Sequence, residues 1–373
     1  MKYIKWNWRH DMWPHFTYDA EALKILELQF SQNTGTVLGI LKHIQEPEKD
    51  DFLVDILSNE ALKTSEIEGE YLDRDSVQSS IKQNLGLTAD KRKIPPAEYG
   101  ISEMMVDLYL HYDRPLNHNQ LFEWHKMLTN GRRDLMDIGQ YRTHKEPMQV
   151  VSGRLDKPTV HFEAPPSDQM SKEMEQFIAW FHTNHFKKKQ ELLPLAKAGI
   201  AHLYFVCIHP FEDGNGRIGR AIAEKSITLS TGRPALISLS QTIEGAKKMY
   251  YDMLETYNTT LDITGWLVYF GNTILQAQEN TLRQLDFLIE KTKFFDTYSN
   301  KLNERQQVVV QRLFKAGHEG FLSGLSAENY VRITKTSPST ATRDLKDLIE
   351  KEVFTKTGRL KSTRYFLNIK QNR

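Results

Sequence analysis

The residues best equipped for chemistry stand together in one stretch, His209-Pro210-Phe211-Glu212-Asp213-Gly214-Asn215-Gly216-Arg217-Ile218-Gly219-Arg220. The ordinary pKa of histidine, roughly 6.5, lets His209 accept a proton near neutral pH. Asp213 offers a hard oxygen ligand suited to Mg²⁺, which commonly binds through carboxylates and substrate phosphates. Gly214 and Gly216 allow the backbone to come close to a ligand, because no Cβ stands in the way. Arg217 and Arg220 are three apart, share one broad face of a helix, and can grip phosphate oxygens in pairs. Singly, each feature has an ordinary reading: a capping histidine, a common Asp-Gly turn, a solvated arginine face. Jointly they describe a phosphate site with a general base beside it.

Such a site needs a helix start, where unpaired N–H groups and a partial positive charge collect phosphate. The pattern supplies one. A helix over 194–208 must stop at His209-Pro210, because the residue before proline disfavours the helical region. A new helix begins near Gly214 and carries Arg217, Ile218, Ala221 and Ile222. Apolar spacing predicts further helices over 19–45, 51–67, 78–93, 97–112, 117–130 and 168–189, with two or three more within 243–296. Glu68-Gly69 terminates the second of these. Gln149-Val150-Val151 and Thr159-Val160-His161-Phe162 flank a turn from Ser152 to Pro158, which reads as a hairpin. The fold class is therefore mainly α with one small β-hairpin. The aromatic opening (Trp6, Trp8, Trp13, Phe16, Tyr18) is expected to pack against the helices that follow.

Composition narrows the class. The chain has 373 residues, 39% hydrophobic and 26% charged, which suits a globular protein of two or three domains. No apolar run is long enough to span a bilayer. The start of the chain lacks the apolar segment of a signal peptide, and a single cysteine, Cys207, excludes an internal disulfide. These features lead us to expect a cytoplasmic protein. Net charge is +1 overall, yet residues 301–373 hold fifteen Lys or Arg against seven Asp or Glu. A basic tail on an acidic body points to a separate module. His182 and His185 have metal-ligand spacing, but no further ligands accompany them, and they read as a surface pair.

Residues 209–220 match, at every fixed position, the Fic-domain signature His-Pro-Phe-x-(Asp/Glu)-Gly-Asn-Gly-Arg-x-x-Arg. The chain thus resembles the Fic family over roughly 97–255. Fic proteins similar to this one mostly transfer AMP from ATP to a hydroxyl of a target protein. The resemblance implies a nucleotidyltransferase in which His209 deprotonates the attacking Ser, Thr or Tyr. It implies that Asp213 holds Mg²⁺ on the α- and β-phosphates, and that the amides of Gly214 to Gly216, with Asn215, form the α-phosphate hole. Arg217 would meet the β-phosphate and Arg220 the γ-phosphate, while Phe211 anchors the ATP-binding loop. The hairpin resembles the family's flap, where Val160, His161 and Phe162 would register a target strand. Tyr250 and Tyr251 resemble its nucleobase-side segment; otherwise they are core. Thr64-Ser65-Glu66-Ile67-Glu68-Gly69 fits the inhibitory pattern (Ser/Thr)-x-x-x-Glu-(Gly/Asn). By that resemblance Thr64, Glu68 and Gly69 form a brake, with Glu68 pairing to Arg220 and misaligning ATP. Relatives often control this brake by homodimerisation.

In the tail, Asn303 with Gln306, then Ser326, then Ser337-Pro338 mark three helix starts, the last helix spanning about 338–350. Phe354 to Leu367 alternates as a two-stranded wing around Gly358. This resembles a basic winged helix-turn-helix, carrying Arg343, Lys346, Lys356, Arg359, Lys361 and Arg364. DNA is one candidate partner; dimerisation or target docking is the other use of such a module. Domain boundaries are expected at 1–94, 95–296 and 297–373. Two further functional readings stay open. One keeps the fold but transfers another nucleotide group or a phosphate. The other is a transcriptional regulator whose core only senses nucleotide.

Overall fold

The computed structural model describes residues 5–154, 157–183, 185–186, 190–315 and 324–369. Leu155 and Asp156, in the expected hairpin turn, lie outside the described residues, as does the His185 side chain. In chain order the elements begin with α1 (Lys24–Leu41), α2 (Glu46–Ile67), α3 (Arg74–Asn84), α4 (Pro96–Leu110) and α5 (His118–Leu128). The hairpin β1 (Gln149–Arg154) and β2 (Lys157–Glu163) precedes α6 (Met170–His182) and the short pair β3 (His185–Phe186) and β4 (Gln190–Glu191). Then come α7 (Pro194–Ile208), α8 (Asn215–Thr231), α9 (Leu239–Gly245), α10 (Lys247–Tyr257) and α11 (Thr264–Tyr298). Last are α12 (Glu304–Lys315), α13 (Ala327–Thr334), α14 (Pro338–Glu350), β5 (Phe354–Thr357) and β6 (Arg364–Leu367).

Two expected helices are shorter or displaced. The one expected over 78–93 runs instead from Arg74 to Asn84. Asp73 caps its start, accepting from the Ser76 amide at 2.9 Å, and Gly86, at φ +72°, follows its end. The one expected over 168–189 ends at His182, where Thr183 turns extended and a strand pair follows.

The chain divides into two compact units, one of residues 1–41 and 45–281 and the other of 42–44 and 282–373. This differs from the three regions expected, because α2 and α3 share one continuous apolar core with α4, α7 and α8. At the centre lies α7, whose residues are buried on every side, as an internal helix requires. Its Gly199 lets α11 approach closely: a Cβ there would meet Leu267 Cδ2 at 2.6 Å, and Trp266 Nε1 donates to its carbonyl. The aromatic opening packs as expected, with Trp6 edge-on to Phe162 and Trp13 against Phe16 and Tyr204. Cys207 is buried on α7, its Sγ accepting from Asn7 Nδ2, and burial pushes the thiol up to about 12.

The second unit builds its own core from Val309, Val310, Leu313, Tyr330, Leu345 and Leu348. All three helix starts use the side chains read from the sequence. Asn303 and Gln306 bond reciprocally at 3.0 Å, while Ser326 and Ser337 accept from Asn329 and Thr340. Antiparallel β5 and β6 follow, and Leu325 bridges Tyr365 beside them.

Candidate functional site

The site forms where α7 ends and α8 begins. His209 closes α7 in the left-handed region (φ +52°, ψ +59°), a conformation most residues avoid. That turn releases its imidazole from the helix. Nδ1 lies 3.2 Å from the Val206 carbonyl, which places the proton on Nδ1 and leaves Nε2 as an acceptor. Burial pushes the imidazole down to about 4, so it is neutral at physiological pH. The backbone of the loop is pinned from a direction the sequence did not indicate. Arg142, fully buried, donates Nε to the His209 carbonyl at 2.8 Å, Nη1 to Ser167 and Nη2 to the Pro165 carbonyl. Burial lowers its guanidinium to about 10. Arg142 thereby ties the histidine loop to the segment that follows the hairpin.

Two of the predicted residues hold the loop itself together. Phe211 is fully buried, stacked on His125 with centroids 4.2 Å apart, and packed near Tyr141, so its ring anchors the loop as expected. The Asn215 carboxamide bonds both backbone groups of Phe211, at 2.8 and 3.0 Å, and so closes the loop. Gly214, at φ +84°, turns the chain into α8, its N–H donating to Asp213 Oδ1 at 2.6 Å.

Charged groups surround this helix start. Arg217 and Arg220 are 5% and 1% exposed. Arg220 Nη2 donates to Glu68 Oε1 at 2.8 Å and to the Thr64 carbonyl, and Nε donates to Thr64 Oγ1. Arg217 Nη1 donates to Glu70 Oε2 at 2.6 Å, with Asp213 3.5 Å from its Nη2. Asp213 also accepts from Arg132, which is itself paired to Asp134. Burial works to raise the Asp213 carboxyl, but Arg217, Arg132 and the Gly214 amide hold it below the usual range. Two buried donors, Arg217 Nε and Arg220 Nη1, have no acceptor. Gly216 is glycine for a visible reason: a Cβ there would stand 2.1 Å from Glu68 Oε1. The Glu68 carboxylate lies over the helix start, the place an incoming anion would take.

Glu68 and Glu70 are delivered by the end of α2. Gly69, at φ +85°, reverses the chain; its N–H bonds the Glu66 carbonyl and the Glu70 N–H bonds the Ser65 carbonyl. This is a Schellman ending, which needs glycine at the reversal. Higher on α2, buried Glu60 accepts from the Ser240 amide and shares a hydrogen bond with buried Glu224 of α8. Burial and the Glu60 charge raise Glu224 well above the usual range, so a proton sits between the two helices.

The remaining predicted residues scatter. Tyr250 is buried with its hydroxyl 2.8 Å from His202 Nε2, so it packs in the core and opens to no base. Tyr251 is part-exposed and donates to the Ile67 carbonyl. Phe162 is buried edge-on to Trp6, and Val160 is half-buried. His161 Nε2 lies 2.6 Å from Ser152 Oγ and its Nδ1 2.9 Å from Glu255. It is β1 that stays exposed along its length, with a register shift between Val150 and Val151. His182 bonds the Leu116 carbonyl, and no metal-holding cluster occurs among the described residues. No helix there is long and apolar enough to cross a membrane.

A helical core places a histidine at one helix end and an arginine-rich start to the next. The Fic/DOC family model matches residues 115–226, and a domain of unknown function, DUF4172, matches residues 6–87. The protein adenylyltransferase Fic of Aedes aegypti is 26% identical over 258 residues, covering 65% of this chain and 50% of that protein. The Nematostella vectensis protein of the same name is 31% identical over 117 residues, covering 31% of this chain and 25% of the other. The chain thus spans at most about half the length of these relatives. A Fic family protein from Desulfovibrio desulfuricans G20 shares the fold over 96% of this chain and 99% of its own, with TM-score 0.53 and 20% identity.

Proposed function

We propose that this chain is a protein adenylyltransferase that moves AMP from ATP to a Ser, Thr or Tyr hydroxyl of a target protein, and to itself. The observation that carries the reading is the pair of buried guanidinium groups, each with an N–H lacking an acceptor, at a helix start beside a neutral imidazole. Buried donors rarely stay unpaired, and a polyphosphate chain supplies the missing acceptors. His209 Nε2 takes the hydroxyl proton; the freed oxygen attacks the α-phosphorus; the bond to the β-phosphate breaks and pyrophosphate leaves. Amides at the α8 start bear on the charge that builds on the α-phosphate. Asp213 fits Mg²⁺, being a deprotonated hard oxygen now neutralised by two arginines, and the metal would supply further charge neutralisation on the phosphates. The exposed edge of β1 supports strand-wise docking of the target beside this site.

The same reading includes autoinhibition: Glu68 holds Arg220, and the triphosphate then binds with its α-phosphate misaligned, a misplacement worth about a hundredfold in rate. Intact-mass analysis after incubation with ATP and Mg²⁺ tests both parts. Glu68→Gly raises AMP attachment, and adding His209→Ala lowers it about 10²–10⁴-fold. A Glu68→Gly protein that gains no AMP sinks the transferase reading.

One observation favours a second reading, a nucleotide-sensing regulator acting through its C-terminal module. Three helices followed by a hairpin, with Leu325 bridging the hairpin, have the order of a winged helix-turn-helix. Asp344 and Asp347 on α14, which would oppose a nucleic-acid phosphate, bond inward to Arg305, Tyr330, Gln306 and Lys351. Arg343 and Lys346 remain on the exposed face. Salt-dependent binding of duplex DNA by the intact chain supports this reading; its absence at low salt removes it.

A further inference from the structure

We infer that Glu70 is a second inhibitory carboxylate, acting on Arg217 as Glu68 acts on Arg220, so that the resting site is closed to the β-phosphate as well as the γ-phosphate. The inference rests on the nucleotide reading above and extends its regulation.

The geometry is specific. Gly69 reverses the chain in the left-handed region, so its two neighbours diverge toward α8. Glu68 reaches Arg220 at 2.8 Å and Glu70 reaches Arg217 at 2.6 Å. The two arginines are three residues apart on one face of α8, and one helix ending serves both. Arg217 has no better partner: Asp213 stands 3.5 Å away and is drawn to Arg132, while Arg217 Nε is buried without an acceptor. A β-phosphate approaching Arg217 therefore competes with Glu70 for the same Nη1. The backbone N–H of Glu70 bonds the Ser65 carbonyl whatever its side chain, so the carboxylate can be removed without undoing the end of α2. Loosening that last turn would release both arginines together.

The Glu70 side chain is 39% exposed, so its hold on Arg217 is of surface strength, and losing it should change affinity by about fivefold. The two acids should differ in which nucleotide notices them. Calorimetry of the full chain with AMP, Mg-ADP and Mg-ATP tests this. Glu70→Ala is expected to tighten Mg-ADP and Mg-ATP about fivefold and to leave AMP within about twofold. Glu68→Gly is expected to tighten Mg-ATP alone, and Glu70→Gln should lie between wild type and Glu70→Ala. With Glu68→Gly already present, adding Glu70→Ala should raise self-modification further at low ATP. Circular dichroism melting confirms that each variant is folded. A folded Glu70→Ala protein that binds Mg-ADP as wild type does overturns the inference, whatever its transfer activity. Tighter Mg-ADP binding with no AMP transfer by Glu68→Gly keeps this gate and removes the transferase reading instead.

Discussion

Each unit buries a cluster of charge, and the two clusters are finished to different degrees. In the C-terminal unit Asp344 is 4% exposed, and every lone pair has a use. Arg305 donates twice, Tyr330 donates its hydroxyl at 3.1 Å, and Asn303 lies at 3.5 Å. In the larger unit Arg217 and Arg220 are as deeply placed, yet each keeps a donor without an acceptor, and each is paired to an acid beside Gly69. The first arrangement stabilises three helices and leaves nothing for a ligand. The second is held closed by carboxylates that an anion can displace.

The comparison can be broken most strongly by acid. His125 and His202 are fully buried, and burial lowers them to about 4 and about 3; His209 also falls to about 4. The unfolded value is roughly 6.5, so each contributes stability that is complete above pH ~6.5 and is lost as pH falls toward 4. Each shift is worth on the order of 3–5 kcal/mol. Hydrogen exchange should show the larger unit softening between pH 6.5 and 4. Asp344 is depressed below its ordinary carboxylate value, by Arg305 first, so its contribution fades only at lower pH. Equal softening of both units across that window would remove the contrast.

Asp344→Ala should come next, costing the C-terminal unit about 3 kcal/mol by leaving the buried Tyr330 hydroxyl and Arg305 without their acceptor. Exchange in α7 and α8 should not change. Ligand gives the converse. Mg-ATP at a hundred times its Kd should stabilise the larger unit of the Glu68→Gly protein by about 2.7 kcal/mol and leave the other unit untouched. A smaller effect is expected of Gly69→Ala. An L-residue at φ +85° costs ~1–2 kcal/mol, and no neighbour within 4 Å adds to it. If the glycine aims both acids, self-modification should rise while the melting temperature falls slightly.

The sequence made the loop legible because its chemistry is contiguous: base, carboxylate, glycines and arginines fall within twelve residues. Helix starts at Asn303, Ser326 and Ser337 were legible too, since a cap is a local bond. What stayed hidden acts through space. Arg142 lies 67 residues from the His209 it holds, and Arg132 lies 81 from Asp213. His125 looked like any helical histidine until Phe211 stacked on it. The burial of Tyr250 and Phe162 was not legible, because an aromatic serves equally as core or contact, and only packing decides. Glu70 left one usable trace: the residues on the two sides of the helix-ending glycine are both acids.

Cys207 is the chain's lone thiol, sealed on α7 against Asn7 and shifted to about 12. A maleimide dye will pass it by, because thiolate, not thiol, reacts. One cysteine placed at exposed Val151 would then be the only site to take the dye, with the native residue left alone. The hairpin can thus carry a fluorescent reporter, and the arrival of another polypeptide could be followed in real time by its change in brightness.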